Sequence, residues 1–122
     1  ITSGLLLIFP NLLTGSREKK ISSKDSVLMM NRQPSFIIDV RDEQDFNLGH
    51  LQNATNIKLD EIPDKISVIK KHSKKIIIVY CQKGVRSEQA VNILIKLGLD
   101  KVVSIEGGIN AWIKEQLPIA NK

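Results

Sequence analysis

The sequence predicts an α/β fold: a central parallel sheet of four to five strands with helices on both faces. Three observations carry this. Short β-branched runs, Ile76-Ile77-Ile78-Val79-Tyr80 above all, read as strands buried on both faces. Segments with apolar residues at helical spacing alternate with them, the βα rhythm of a parallel sheet. The chain has 122 residues, 42% hydrophobic and 25% charged, which suits one domain with a core of its own. Aromatics are only 4%, so Ile, Leu and Val must fill that core.

Residues 1–19 read as an N-terminal lead, 20–118 as the domain and 119–122 as a tail. Gly4 to Leu13 is apolar almost throughout, yet shorter than the ~20 residues of a bilayer span. Arg17, Lys19 and Lys20 follow it. An apolar run closing on positive charge resembles the cytoplasmic end of a membrane helix. The expectation is therefore a cytoplasmic domain anchored to the inner or plasma membrane through an upstream N-terminal helix. The plainer alternative is a lead that packs on the domain or stays loose. A signal peptide fits less well, because there the charge precedes the apolar stretch.

Lys20-Ile21 predicts a short edge strand. Ser22 or Ser23 caps a helix with Val27, Leu28 and Met30 facing inward, and Pro34 stops it. A strand follows to Val40. Asp42 is a candidate cap for a short helix from Glu43 to Leu48, and Gly49-His50-Leu51 turns the chain. Ala54 to Ile57 predicts a strand and Leu59 to Pro63 a turn or helical start. Asp64 to His72 predicts a helix with Ile66, Val68 and Ile69 on its inner face, and His72 exposed. After the central strand, Ser87 is a candidate cap for a helix whose buried stripe is Ala90, Val91, Leu94 and Leu97. Gly98 terminates it. Lys101 to Ile105 predicts the last strand. Gly107-Gly108 turns into a final helix packing through Ile109, Trp112 and Ile113, and Pro118 ends the order.

The chemistry concentrates where the central strand stops at Cys81, the chain's single cysteine. In an open α/β sheet this is the usual place for a site. A helix start and successive loop amides favour negative charge. Gly84 permits a tight or left-handed turn, and Lys83 and Arg86 add positive charge. Together these favour the thiolate, the nucleophilic form. An isolated cysteine is commonly an apolar filler; the glycine, the two cations and the helix start favour the reactive reading. Asp39, inside so apolar a strand, requires a partner. It could be a catalytic base or a paired carboxylate.

Cys81-Gln82-Lys83-Gly84-Val85-Arg86-Ser87 resembles the active-site loop of the rhodanese family, which carries sulfane sulfur as a cysteine persulfide. Ile38-Asp39-Val40-Arg41, Glu43, Phe46, Gly49-His50-Leu51, Ala54 and Asn56-Ile57 resemble that family's first signature. Glu106-Gly107-Gly108-Ile109 and Trp112 resemble its closing one. The likeness spans about residues 20–118, in order. It implies a single-domain, thiosulfate:cyanide-type sulfurtransferase, with Cys81 as nucleophile and the backbone amides from Gln82 through Lys83, Gly84, Val85 and Arg86 to Ser87 holding the persulfide. The donor would be a small anion such as thiosulfate, and the acceptor a thiol, a protein or cyanide. It also implies structural roles for Asp39, paired with Arg41, and for Glu43. His50 would hold its loop rather than act as a base.

Cell-cycle dual-specificity phosphatases share this fold but have five residues between cysteine and arginine. Here there are four, Gln82 to Val85, which argues for sulfur over phosphate. A phosphatase or arsenate-reductase-like enzyme remains the competing catalytic reading, although no second cysteine is present to resolve an arsenate intermediate. A non-catalytic sulfur-delivery or partner-binding module is the third.

A single cysteine excludes an internal disulfide and a cysteine-based zinc site, and fits a reducing compartment. No cluster has metal-ligand spacing, and no cofactor is expected. The net charge of +5 comes from dispersed lysines without interleaved aromatics, so no nucleic-acid partner is expected.

Overall fold

The computed structural model describes residues 19–121. The predicted membrane-proximal lead lies almost wholly outside them. Among the described residues no helix is long and apolar enough to cross a membrane.

Five parallel strands form one sheet: β1 (Lys20–Ile21), β2 (Ser35–Asp39), β3 (Thr55–Asn56), β4 (Ile76–Tyr80) and β5 (Val102–Ile105), in the order β1-β5-β4-β2-β3. The helices between them are α1 (Ser23–Arg32), α2 (Glu43–Leu48), α3 (Ile66–Lys70), α4 (Val85–Lys96) and α5 (Gly108–Lys114), with a 3-10 turn at Leu59–Glu61. The fold is the doubly covered α/β sheet that the sequence predicts.

All five residues of β4 are buried. Alternate side chains enter opposite cores, as a strand's two-residue period requires. Ile77 and Val79 join Ile38, Ile69, Ala90, Val91 and Leu94 on the α3–α4 face. Ile78 and Tyr80 join Ile21, Met29, Ile105, Ile109 and Trp112 on the α1–α5 face.

The helices differ from expectation in detail. In α1 the inward stripe is Ser23, Ser26 and Met29, while Leu28 is 46% exposed. Ser22 caps it, its hydroxyl accepting from the Asp25 amide at 3.1 Å. Asp42 occupies the cap position of α2 without a side-chain cap bond. α3 is five residues, not nine: Ile69 is buried but Val68 points out. His72 is half-buried, stacked on Phe36 at 3.9 Å between ring centroids. Gly98, at φ 107°, closes α4 with its amide on Ile95 O and that of Leu99 on Leu94 O, a Schellman pattern. Leu97 is only partly buried. Ile113 is half-exposed, the buried residues of α5 being Gly108, Ile109 and Trp112.

Order continues past Pro118. Its carbonyl accepts from Trp112 Nε1 at 2.9 Å, and Ala120 pairs antiparallel with His50.

Met29→Ala should therefore cost about 2–5 kcal/mol through the cavity it leaves. Leu28→Ala should stay within about 0.5 kcal/mol of the parent. Urea unfolding of the two variants measures the contrast.

Candidate active site

Successive connections leave β2 toward β3 and β4 toward β5, so the chain diverges at the carboxyl ends of the adjacent strands β2 and β4. The crevice outside such a divergence is where open α/β sheets bind ligands. Cys81 and Gln82 leave β4 there, and Val40 and Arg41 leave β2.

Cys81 is recessed, at 2% exposure. Its Sγ accepts hydrogen bonds from the Gly84 amide at 3.1 Å and the Ser87 amide at 3.3 Å. The thiol also lies 3.6 Å from Ser87 Oγ, whose own hydroxyl donates to Gly84 O at 3.2 Å. Ser87 is therefore not the helix cap. α4 begins two residues earlier, with Gly84 at the cap position in the left-handed region, φ 104°. That geometry, reached without a Cβ penalty, turns the chain soon enough for the Ser87 amide to fall in the first helical turn. Amides there have no partner within the helix. The cysteine sulfur takes this one, doing what a capping oxygen does elsewhere.

The loop's carbonyls are drawn the other way. Cys81 O and Gln82 O accept from the Ile109 and Asn110 amides of α5 at 2.9 and 3.1 Å. A Cβ at Gly108 would overlap both carbonyls, and its φ of +62° independently favours glycine. The sulfur thus faces N–H groups and not carbonyl oxygens, an arrangement suited to negative charge.

A second layer holds the loop laterally. Asp39, fully buried, accepts from Arg41 Nε at 3.0 Å, Nη2 at 2.8 Å and the Arg41 amide at 2.9 Å. The same guanidinium donates to Gly49 O at 2.7 Å and to Gln82 Oε1 at 3.1 Å. Gln82 Nε2 donates in turn to Asn110 Oδ1 at 2.6 Å. Burial alone would lower the Arg41 pKa, but its hydrogen bond to Asp39 and that carboxylate's charge leave it raised. The guanidinium also lies 5.8 Å from the Tyr80 ring centroid. Tyr80 OH accepts from the Leu51 amide at 3.0 Å. Burial first, then the charge of Asp39, push the phenol's pKa well up.

Of the predicted residues, Gly84 and Ser87 touch the sulfur, Gln82 braces the loop through its side chain, and Lys83, Val85 and Arg86 are exposed. Neither cation makes an ion pair among the described residues. His50 Nδ1 lies 2.8 Å from Phe46 O, and its ring stacks on Phe46. No three His, Cys, Asp or Glu among the described residues are grouped as a metal site needs. The part of Asn110, and the closeness of Gly108 to the loop, carry no signal in the sequence beyond the Gly107-Gly108 turn.

The rhodanese-like domain model matches residues 22–115, and the chain belongs to that family. Among curated relatives it is 28% identical to the uncharacterized protein YibN of Escherichia coli over 85% of this chain and 73% of that one. It is 31% identical to the tRNA uridine(34) hydroxylase of Salmonella agona over 73% of this chain, but spans only 27% of that protein. Two solved structures are similar. A rhodanese-related protein from Thermoplasma volcanium has TM-score 0.77 and 31% identity, with 85% of this chain and 99% of that one covered. A rhodanese-like domain protein from Staphylococcus aureus has TM-score 0.74 and 31% identity, with 85% and 98% covered.

Arg41→Met should destabilise the fold by about 3–5 kcal/mol, because Asp39 is left buried and unpaired. Adding Asp39→Asn should recover part of the loss; chemical denaturation of both variants checks this. Tyr80 gives a pH dependence of definite sign. Its pKa is raised on folding, so its contribution is complete below the unfolded value of about 10 and lost as pH climbs toward the folded one. Stability should therefore fall above about pH 10, and Tyr80→Phe should flatten that slope. Tyr80 is the only tyrosine, so phenolate absorbance should rise together with unfolding.

Proposed function

We propose that the protein is a sulfurtransferase that carries sulfane sulfur as a persulfide on Cys81. One observation supports this most: Sγ accepts from the Gly84 and Ser87 amides, beside the Ser87 hydroxyl, at a helix start, in a four-residue Cys-to-Arg spacing.

The Cys81 thiolate attacks the outer sulfur of thiosulfate. An Sγ–S bond forms, the donor's S–S bond breaks, and sulfite leaves with the electron pair. An acceptor thiolate or cyanide then attacks the outer sulfur of the persulfide. The Sγ–S bond breaks, Cys81 returns as thiolate, and the acceptor leaves as a persulfide or as thiocyanate. No external oxidant or reductant enters.

The amides of Gly84 and Ser87 stabilise the charge without reorganising, the logic of an oxyanion hole. In the thiol form the Ser87 hydroxyl donates to Gly84 O. Once the thiol proton has left, rotation about its C–O bond turns the same hydroxyl toward sulfur, adding a third donor. Exposed Lys83 and Arg86 draw an anionic donor toward the recess, an effect weakened by salt.

Cys81→Ser should abolish thiocyanate formation and the mass increase of roughly 32 Da, one sulfur atom, that thiosulfate leaves on the protein. Transfer retained by this variant would sink the reading. Ser87→Ala should slow turnover by about 100-fold, the lower end of losing one such donor, while thiosulfate still loads the protein.

A further inference from the structure

We propose that the rim of the Cys81 recess is a docking face for a protein acceptor: an extended acidic segment with apolar residues flanking a cysteine that takes the outer sulfur. This deepens the persulfide reading of Cys81 and rests on it.

The two most exposed large apolar side chains described are Leu48, at 79%, and Val85, at 67%. Val85 opens α4 directly after the Cys81 loop. Leu48 precedes Gly49, whose carbonyl is held by the same Arg41 guanidinium that holds Gln82. One buried side chain therefore ties the Leu48 turn to the Cys81 loop. Ile119, 40% exposed, extends the apolar surface, since its Cδ1 would lie 3.2 Å from a Cβ on Gly49.

Single exposed apolar residues are ordinary; what informs is that Leu48 and Val85 flank segments held by one guanidinium. A small sulfur anion has no use for apolar walls, whereas a polypeptide buries them. The charge of the partner follows from Lys83 and Arg86, both exposed and unpaired in the described residues. Glu88, on the first turn of α4, is already paired with Lys20 at 3.6 Å, and the acids at the start of α2, Asp42, Glu43 and Asp45, follow the Arg41 guanidinium, with Asp45 acting on its charge. The partner's shape follows from burial. At 2% exposure the sulfur is out of reach of a flat surface, so the partner has to present its cysteine on an extended strand or loop tip.

The test loads the protein with thiosulfate and compares three acceptors: cyanide, a synthetic peptide with Leu and Glu on both sides of a cysteine, and its counterpart with Lys for Glu. The Glu peptide should take sulfur with a kcat/KM about tenfold or more above the Lys peptide, an advantage that shrinks with added salt. Leu48→Glu, at a position too exposed to disturb folding, should cut transfer to the Glu peptide about tenfold yet leave cyanide within about twofold. Equal rates for the two peptides, or a Leu48→Glu effect shared with cyanide, overturn the docking face and leave the sulfurtransferase standing. Absence of a persulfide under thiosulfate overturns both.

Discussion

Arg41 is the side chain on which the site's shape depends. It is buried and pairs with a carboxylate buried still more deeply. An ion pair so far from water is weak evidence for stability, because desolvation offsets most of the attraction. Its effect here is positional. The guanidinium has more donors than Asp39 can accept, and the surplus goes to Gly49 O and Gln82 Oε1. A planar, permanently charged fork can hold a β2 residue, a turn and the Cys81 loop in one geometry; a lysine could not span all three.

The loop itself is sorted by polarity. Its carbonyls go outward to the start of α5, and two amides go inward to sulfur. Neither half suffices alone. Without the carbonyl contacts the peptides could rotate and present oxygen to the sulfur. Without Sγ an amide in the first turn of α4 would lack an acceptor. Sulfur and helix start therefore complete each other, which explains a thiol almost wholly withdrawn from solvent yet bonded.

The strands were legible because burial on both faces leaves an unmistakable β-branched run, and Ile76–Tyr80 is bounded as expected. The helices were less so. In α1, four consecutive apolar residues, Val27 to Met30, satisfy several stripes equally, while two buried serines disguise the real one. Ser87 suggested a cap because serine favours that position; the chain instead turned at a left-handed glycine, and sulfur became the acceptor. The Asp39–Arg41 pair could be anticipated from the cost of an unpaired buried carboxylate. The Gln82–Asn110 link could not, since the two belong to different βα units and meet only once the sheet is assembled.

The glycine at the start of α5 reaches beyond its own turn. With no side chain, Gly108 lets the last helix press its amides onto the carbonyls of Cys81 and Gln82. With the helix seated there, the loop cannot bulge toward α5 without dislodging it, so the spacing of amides around the sulfur is gauged in part from outside, by a glycine whose near neighbours are the loop's carbonyls.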